Sequence, residues 1–198
     1  MVFSAPRATV STMKPRAPFH NRIVTTVFLI FAGLAGLPAM ADGLDDLFDE
    51  LQTAEPQAAE RVERRIWREW SKSGSAAMDL LLKRGREALD EGETQDAIEH
   101  FTALIDHAPD FAEGWNARAT AYFQAGLYGP AVADIAQTLR LNPRHFGAMS
   151  GFARILEETE QPDRALQVYR AALAIHPHLS GVSEAVDRLQ TRAAGQDL

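Results

Sequence analysis

"AEGWNARATAYFQAGLYGPAVADIAQTLRLNP", residues 112–143, decides the fold. It carries two apolar stripes at helical spacing, separated by a break. Trp115 and Tyr122 are seven residues apart and share one face of the first stripe. Gly126 suits a left-handed residue just past a helix end. Pro130 suits the first turn of a following helix, where its missing N–H leaves no bond unmade. Pro143 then discourages the second helix from continuing. The stretch therefore reads as a helical hairpin, with Trp115 and Tyr122 in its core. Asp134 sits one residue before the core position Ile135, where it faces Arg118 across the hairpin as a structural ion pair. The other reading of Arg118 is an anion-binding side chain.

The hairpin recurs. Pro109, Pro143 and Pro177 are spaced by 34 residues, as are Ala97, Ala131 and Ala165. Phe101, Ile135 and Tyr169 keep that spacing, and so do Leu81, Trp115 and Met149. Gly85, Ala119 and Ala153 are all small; Ala88, Tyr122 and Leu156 are all apolar. Small residues at two columns let paired helices approach closely. One such hairpin cannot bury both faces alone, so neighbours must stack.

The period and columns resemble the tetratricopeptide repeat family, whose pattern runs Trp-like, Leu and Gly, Tyr, Ala, Phe and Pro. "WNARATAY" supplies Trp115, Ala119 and Tyr122, and the second helix supplies Ala131, Ile135 and Pro143. The pattern departs where Arg84 and Arg118 occupy the usual Leu column. It departs again where Glu160 replaces the turn glycines Gly92 and Gly126. The resemblance implies an all-α, right-handed solenoid of three hairpins: residues 78–111, 112–145 and 146–179. N-terminal amphipathic helices and a linker (42–75) and a C-terminal capping helix and tail (180–198) flank them. It further implies a non-enzymatic adaptor or scaffold that binds a peptide or partner protein on its concave face. Carried over by repeat position, that face comprises Leu82, Arg86, Leu89, Asp90, Glu113, Asn116, Thr120, Phe123, Ser150, Arg154, Glu157 and Glu158. The partner-binding candidates are Arg86, Leu89, Asn116, Thr120, Phe123, Arg154 and Glu157. Some relatives clamp a C-terminal carboxylate with Lys, Asn and Arg on this face. Arg86, Asn116 and Arg154 fit such a clamp, but Ser150 stands where a Lys is wanted.

Charge narrows the partners. Residues 1–41 hold Arg7, Lys14, Arg16 and Arg22 and no acid, so the rest of the chain carries 16 basic against 27 acidic residues. A body with a net charge of −11 argues against nucleic acid, which needs a basic face. It also argues against docking on anionic lipid. The basic segment precedes "IVTTVFLIFAGLAGL", Ile23–Leu37, an apolar run of signal-peptide length that is short for a membrane span. Ala39 and Ala41 form a small-x-small cleavage pattern, so residues 1–41 read as a signal peptide cut after Ala41, with export to the periplasm or beyond. Met13 is the better start for such a leader. The alternative is an uncleaved anchor and a membrane-tethered assembly factor.

The flanks are amphipathic. Leu44, Leu47, Phe48 and Leu51 form one stripe, followed by Val62, Ile66 and Trp70 with Trp67 alongside. Ile66, Trp67 and Trp70 are expected to cap the open end of the stack, while Leu44–Leu51 either joins them or binds a partner. Val182, Ala185, Val186 and Leu189 suit a solvating cap helix at the other end. No phosphate loop, nucleophile elbow or metal-binding helix motif occurs, and the chain has no Cys. His100 and His107 are too far apart for one metal; His145, His176 and His178 fall at repeat junctions as capping or surface residues. No cofactor and no metal are expected, and the sequence leaves the oligomeric state open.

Overall fold

The computed structural model describes residues 41–196, all helices and short turns. The helices are α1 (Ala41–Thr53), α2 (Pro56–Trp70), α3 (Ala76–Asp90), α4 (Thr94–His107), α5 (Ala112–Gln124), α6 (Tyr128–Leu141), α7 (Phe146–Glu158), α8 (Pro162–Ile175) and α9 (Val182–Gln196). The hairpins α3/α4, α5/α6 and α7/α8 follow the 34-residue period and stack in order, each second helix packing on the next first helix. The result is a helical solenoid. The expected export leader, residues 1–41, lies outside the described residues except for Ala41, which opens α1.

All three hairpins turn with the same backbone bonds. Glu93 N–H donates to Ala88 C=O and Gly92 N–H to Leu89 C=O, at 2.8 and 3.1 Å. Leu127 and Gly126 repeat the pattern onto Tyr122 and Phe123, and Gln161 and Glu160 onto Leu156 and Glu157. These paired bonds satisfy carbonyls that a helix end leaves open, and they require a left-handed residue. Gly92 and Gly126 take φ of 83° and 72°; Glu160 takes 57° at the same column. The glutamate thus keeps the turn, although its Cβ opposes that conformation.

The small columns work as spacing predicts. A Cβ on Gly85 would stand 2.3 Å from the Phe101 ring, so only glycine lets that ring seat against α3. Ala119 and Ala153 are buried at the equivalent places, and Ala97, Ala131 and Ala165 are fully buried opposite them. Tyr122 packs against the core that contains Ile135. Trp115 departs from the core reading. It is only half-buried, its Nε1 donates to Pro109 C=O at 2.8 Å, and the Arg118 guanidinium lies 5.1 Å from its ring centroid. Its column explains this, since Leu81 and Met149 are half-buried too.

The N-terminal helices do not cap the first hairpin. Leu47, Phe48 and Leu51 on α1 and Val62, Ile66 and Trp70 on α2 share a core with Phe146, Tyr169 and Leu179 of the third hairpin and its exit. Trp70 stacks on His145, and the Trp67 ring lies where a side chain on Gly147 would be, 2.7 Å from its Cβ position. Gln52 donates to the C=O groups of Ala174 and Ile175, closing the end of α8. His176, expected at the surface, is buried and faces Glu63 of α2 at 3.2 Å. That hydrogen bond, aided by one from Trp67 and opposed by burial, holds the Glu63 carboxyl below its ordinary pKa. The α1/α2 hairpin therefore lies along the loop edge of the solenoid, over the third repeat.

The first hairpin needs no such cap. Where α5 buries Gly114, Ala117 and Ala121 against its predecessor, the same columns of α3 hold Leu80, Lys83 and Glu87. Lys83 and Glu87 pair at 3.5 Å in solvent, so two of the three columns at this end are polar, while Leu80 stays exposed. At the other end α9 covers α8 with Val182, Ala185, Val186 and Leu189, as its pattern indicates.

Candidate functional site

The first helices α5 and α7 line a concavity of about 260 Å³, whose walls include Asn116, Thr120, Phe123, Gly151 and Arg154. Four of the seven partner-binding candidates thus meet. Two walls were not foreseen: Trp67, brought by the folded-back α2, and Leu179, from the loop before α9. No helical periodicity links Trp67 to the walls on α5 and α7, so only the tertiary fold reveals it. Arg154 is exposed, and its guanidinium lies 5.1 Å from the Phe123 ring centroid, a cation–π contact that aims it over the cavity. Among the described residues it has no carboxylate within 4.0 Å. Phe123 is held from behind by Tyr128, with ring centroids 5.7 Å apart.

The remaining candidates are engaged elsewhere. Arg86 donates to Glu113 Oε1 at 2.5 Å and to Ser71 Oγ at 3.1 Å. Leu89 packs into the first hairpin's core, and Leu82, also expected on the concave face, is buried there. Glu113 is a correction of the same kind: only 3% exposed, it is an internal hub rather than a groove acid. Its carboxylate accepts from Arg86, from Asn116 Nδ2 at 3.3 Å and from His145 Nε2 at 3.0 Å. His145 is fully buried, and its Nδ1 accepts from Ala148 N–H, capping α7. A buried carboxylate must be satisfied on every side, and these three donors do it. The signal was available: His145 falls in the column of Phe111 and Leu179, an apolar column that packs inward.

Glu157 lines a second concavity of about 420 Å³, with Arg154, Tyr169 and Arg188. It accepts from Tyr169 Oη at 2.8 Å and Arg188 Nη2 at 2.6 Å. Burial raises its pKa, but the Arg188 and Tyr169 bonds outweigh burial and hold the carboxyl below its ordinary range. Burial and the same carboxylate push the Tyr169 phenol well up. Arg118 confirms the structural reading: its Nε and Nη2 donate to the two Asp134 oxygens at 2.7 and 2.9 Å, and Nη1 donates to Thr102 Oγ1. Asp134 raises the guanidinium pKa above its usual value against the opposing effect of burial. Among the described residues no three His, Cys, Asp or Glu side chains are grouped to hold a metal.

A stack of helix hairpins with a concave face of first helices defines a repeat scaffold. The chain belongs to the tetratricopeptide repeat family, whose pattern matches residues 82–133 and 116–180. A TPR repeat-containing protein of Rhizobium etli is 36% identical over 153 residues, covering 77% of this chain and 75% of its own. The first TPR domain of Spaghetti (RPAP3), solved bound to the HSP90 peptide SRMEEVD, superimposes with a TM-score of 0.56 at 20% identity. That match covers 59% of this chain and 93% of the RPAP3 domain. The MamA protein gives a TM-score of 0.56 at 18% identity, over 79% of this chain and 84% of its own. At these identities the two structures speak to fold.

Proposed function

We propose that the protein is an exported, non-enzymatic adaptor that holds an extended segment of a partner protein in the concavity between α5 and α7. The observation that carries this reading is Arg154: an exposed cation over an aromatic floor, with no carboxylate within 4.0 Å among the described residues. The segment brings an acidic group, a side chain or a C-terminal carboxylate, to Arg154 and to the second N–H of the Asn116 amide, whose first is held by Glu113. An apolar side chain enters between Phe123, Trp67 and Leu179. The RPAP3 domain with its bound acidic peptide supports this mode by analogy. Because Glu113 is internal and Glu157 is occupied by Arg188, the pull on a basic neighbour in the ligand passes to exposed Glu158, which lines the adjoining concavity with Arg154. Export rests on the basic segment, apolar run and Ala39-Met40-Ala41 pattern of the leader. An N-terminus at Asp42 in the native protein supports it; a membrane-bound form that retains Ile23–Leu37 favours the tethered alternative.

The test is affinity capture from the exported fraction, followed by titration of the captured partner. A charge-assisted hydrogen bond contributes about 1.5–3 kcal/mol, so Arg154→Ala weakens binding about 10- to 150-fold. Arg170→Ala, exposed on α8, leaves binding unchanged. The reverse pattern would place the partner on the outer face and overturn the proposal.

A further inference from the structure

The α1/α2 hairpin turns one face of each helix away from the solenoid. Inward lie Leu47, Phe48 and Leu51 of α1 and Val62, Ile66 and Trp70 of α2, all buried. Outward, α1 shows Asp46 and Asp49, and α2 shows Arg61, Arg64 and Arg68, all exposed. An acidic row on α1 thus lies beside an arginine row on α2 on a single surface. The chain itself neutralises little of it. Arg65 pairs with Glu50 at 2.8 Å, and Arg64 reaches Glu60 only at 3.9 Å between largely exposed side chains. Among the described residues Asp46, Asp49, Arg61 and Arg68 have no opposite charge within 4.0 Å. Like charges three and four residues apart on a helix repel, so the arginine row gains from an outside partner.

The spacing identifies that partner. Thr53 and Pro56 flank the turn between the antiparallel helices. At equal rise per residue, Asp49 lies level with about residue 60 and Asp46 with about residue 63. A twofold axis running along the hairpin keeps these levels and exchanges the helices. The acidic row of one copy then lies antiparallel over the arginine row of the other, with Asp49 over Arg61 and Asp46 over Arg64. Three residues separate both the acids and the arginines, so the two pairs form together, and symmetry makes the contact twice. We propose that this face is a charge-paired, twofold interface between two copies of the chain.

Other occupants fit less well. A membrane-surface helix needs an apolar side to insert, and here both apolar sides face the solenoid. A nucleic acid would meet the acids of α1 beside the arginines. Because the contact is exposed and polar, the dimer is weak and yields to salt.

Sedimentation velocity on the purified protein tests this at salt of about 0.02 M and about 0.5 M, which moves the screening length from tens of ångströms to a few. The expected result is concentration-dependent dimer at low salt and monomer at high salt. Arg61→Glu/Arg64→Glu and Asp46→Arg/Asp49→Arg each set like charges face to face, so each variant alone weakens self-association more than about tenfold. Mixed together, each supplies what the other lacks, and a heterodimer returns at low salt. All four positions are exposed, and unchanged helical circular dichroism verifies the fold. A protein that is monomeric at both salts overturns the proposal. So do variants that dimerise like wild type, and a mixture that fails to associate.

Discussion

Replacing Asp134 by alanine strands the Arg118 guanidinium between two helices, with Thr102 as its remaining hydrogen-bond partner beside the Trp115 and Tyr122 rings. Removing one partner of a largely buried pair costs about 3–5 kcal/mol, because the other charge stays desolvated. Denaturant midpoints of Asp134→Ala should show a loss of this size, whereas the exposed pair member Glu60→Ala should show almost none. Tryptophans divide in the same way. Trp70 is 8% exposed inside the core beneath α1 and should lose about 3–5 kcal/mol on truncation to alanine. Half-buried Trp115, held to Pro109 and covered by Arg118, should lose clearly less in the same melts. Residue by residue, pairs within one hairpin were legible, because Arg118 and Asp134 belong to one repeat unit. Glu113 was not. Its burial depends on His145 from the next repeat, and a charged residue on a first helix defaults to the solvated face until that partner is seen.

At the level of elements, the turns and the cap helix carry separable consequences. Glu160 keeps a left-handed turn that Gly92 and Gly126 take without steric cost. Glu160→Gly relieves about 1–2 kcal/mol of backbone strain and returns up to about 1 kcal/mol to the freer unfolded chain. A net gain in thermal or urea stability is expected, and a loss would mean that the turn is held by the glutamate side chain. Acid acts on α9. Glu157 has a depressed pKa in the folded chain, so its contribution is complete above the ordinary carboxylate value of 4.5 and disappears as pH falls through the folded value. Urea melts between pH 7 and pH 3 should show Glu157→Gln losing less stability on acidification than wild type. An identical pH dependence would disprove the assignment. The hairpins were legible because columns at 34 residues sum weak local signals over three copies. The α1/α2 hairpin occurs once, so its amphipathic stripes showed that it docks but not where. Its seat on the third repeat depends on Gly147, which leaves room for Trp67, and on buried His176 facing Glu63.

At the scale of the whole molecule, the folded-back hairpin joins the solenoid in walling the proposed binding concavity. Trp67 walls a concavity whose floor and cation come from two repeats. The two ends of the stack are closed differently, by Lys83 and Glu87 at the first hairpin and by α9 at the last. On the concave face exposed Arg154 stands over the Phe123 ring with no carboxylate within 4.0 Å among the described residues, whereas Arg144, over Phe48, is paired with Asp45. Site-specific photo-crosslinking in living cells tests this most directly, with the photoreactive residue in place of Thr120 inside the concavity or of Arg170 on α8. A discrete protein adduct is expected from position 120 that disappears when Arg154→Ala is added, and none from position 170. An adduct from position 170 with none from position 120, or one from position 120 that ignores Arg154→Ala, would contradict it.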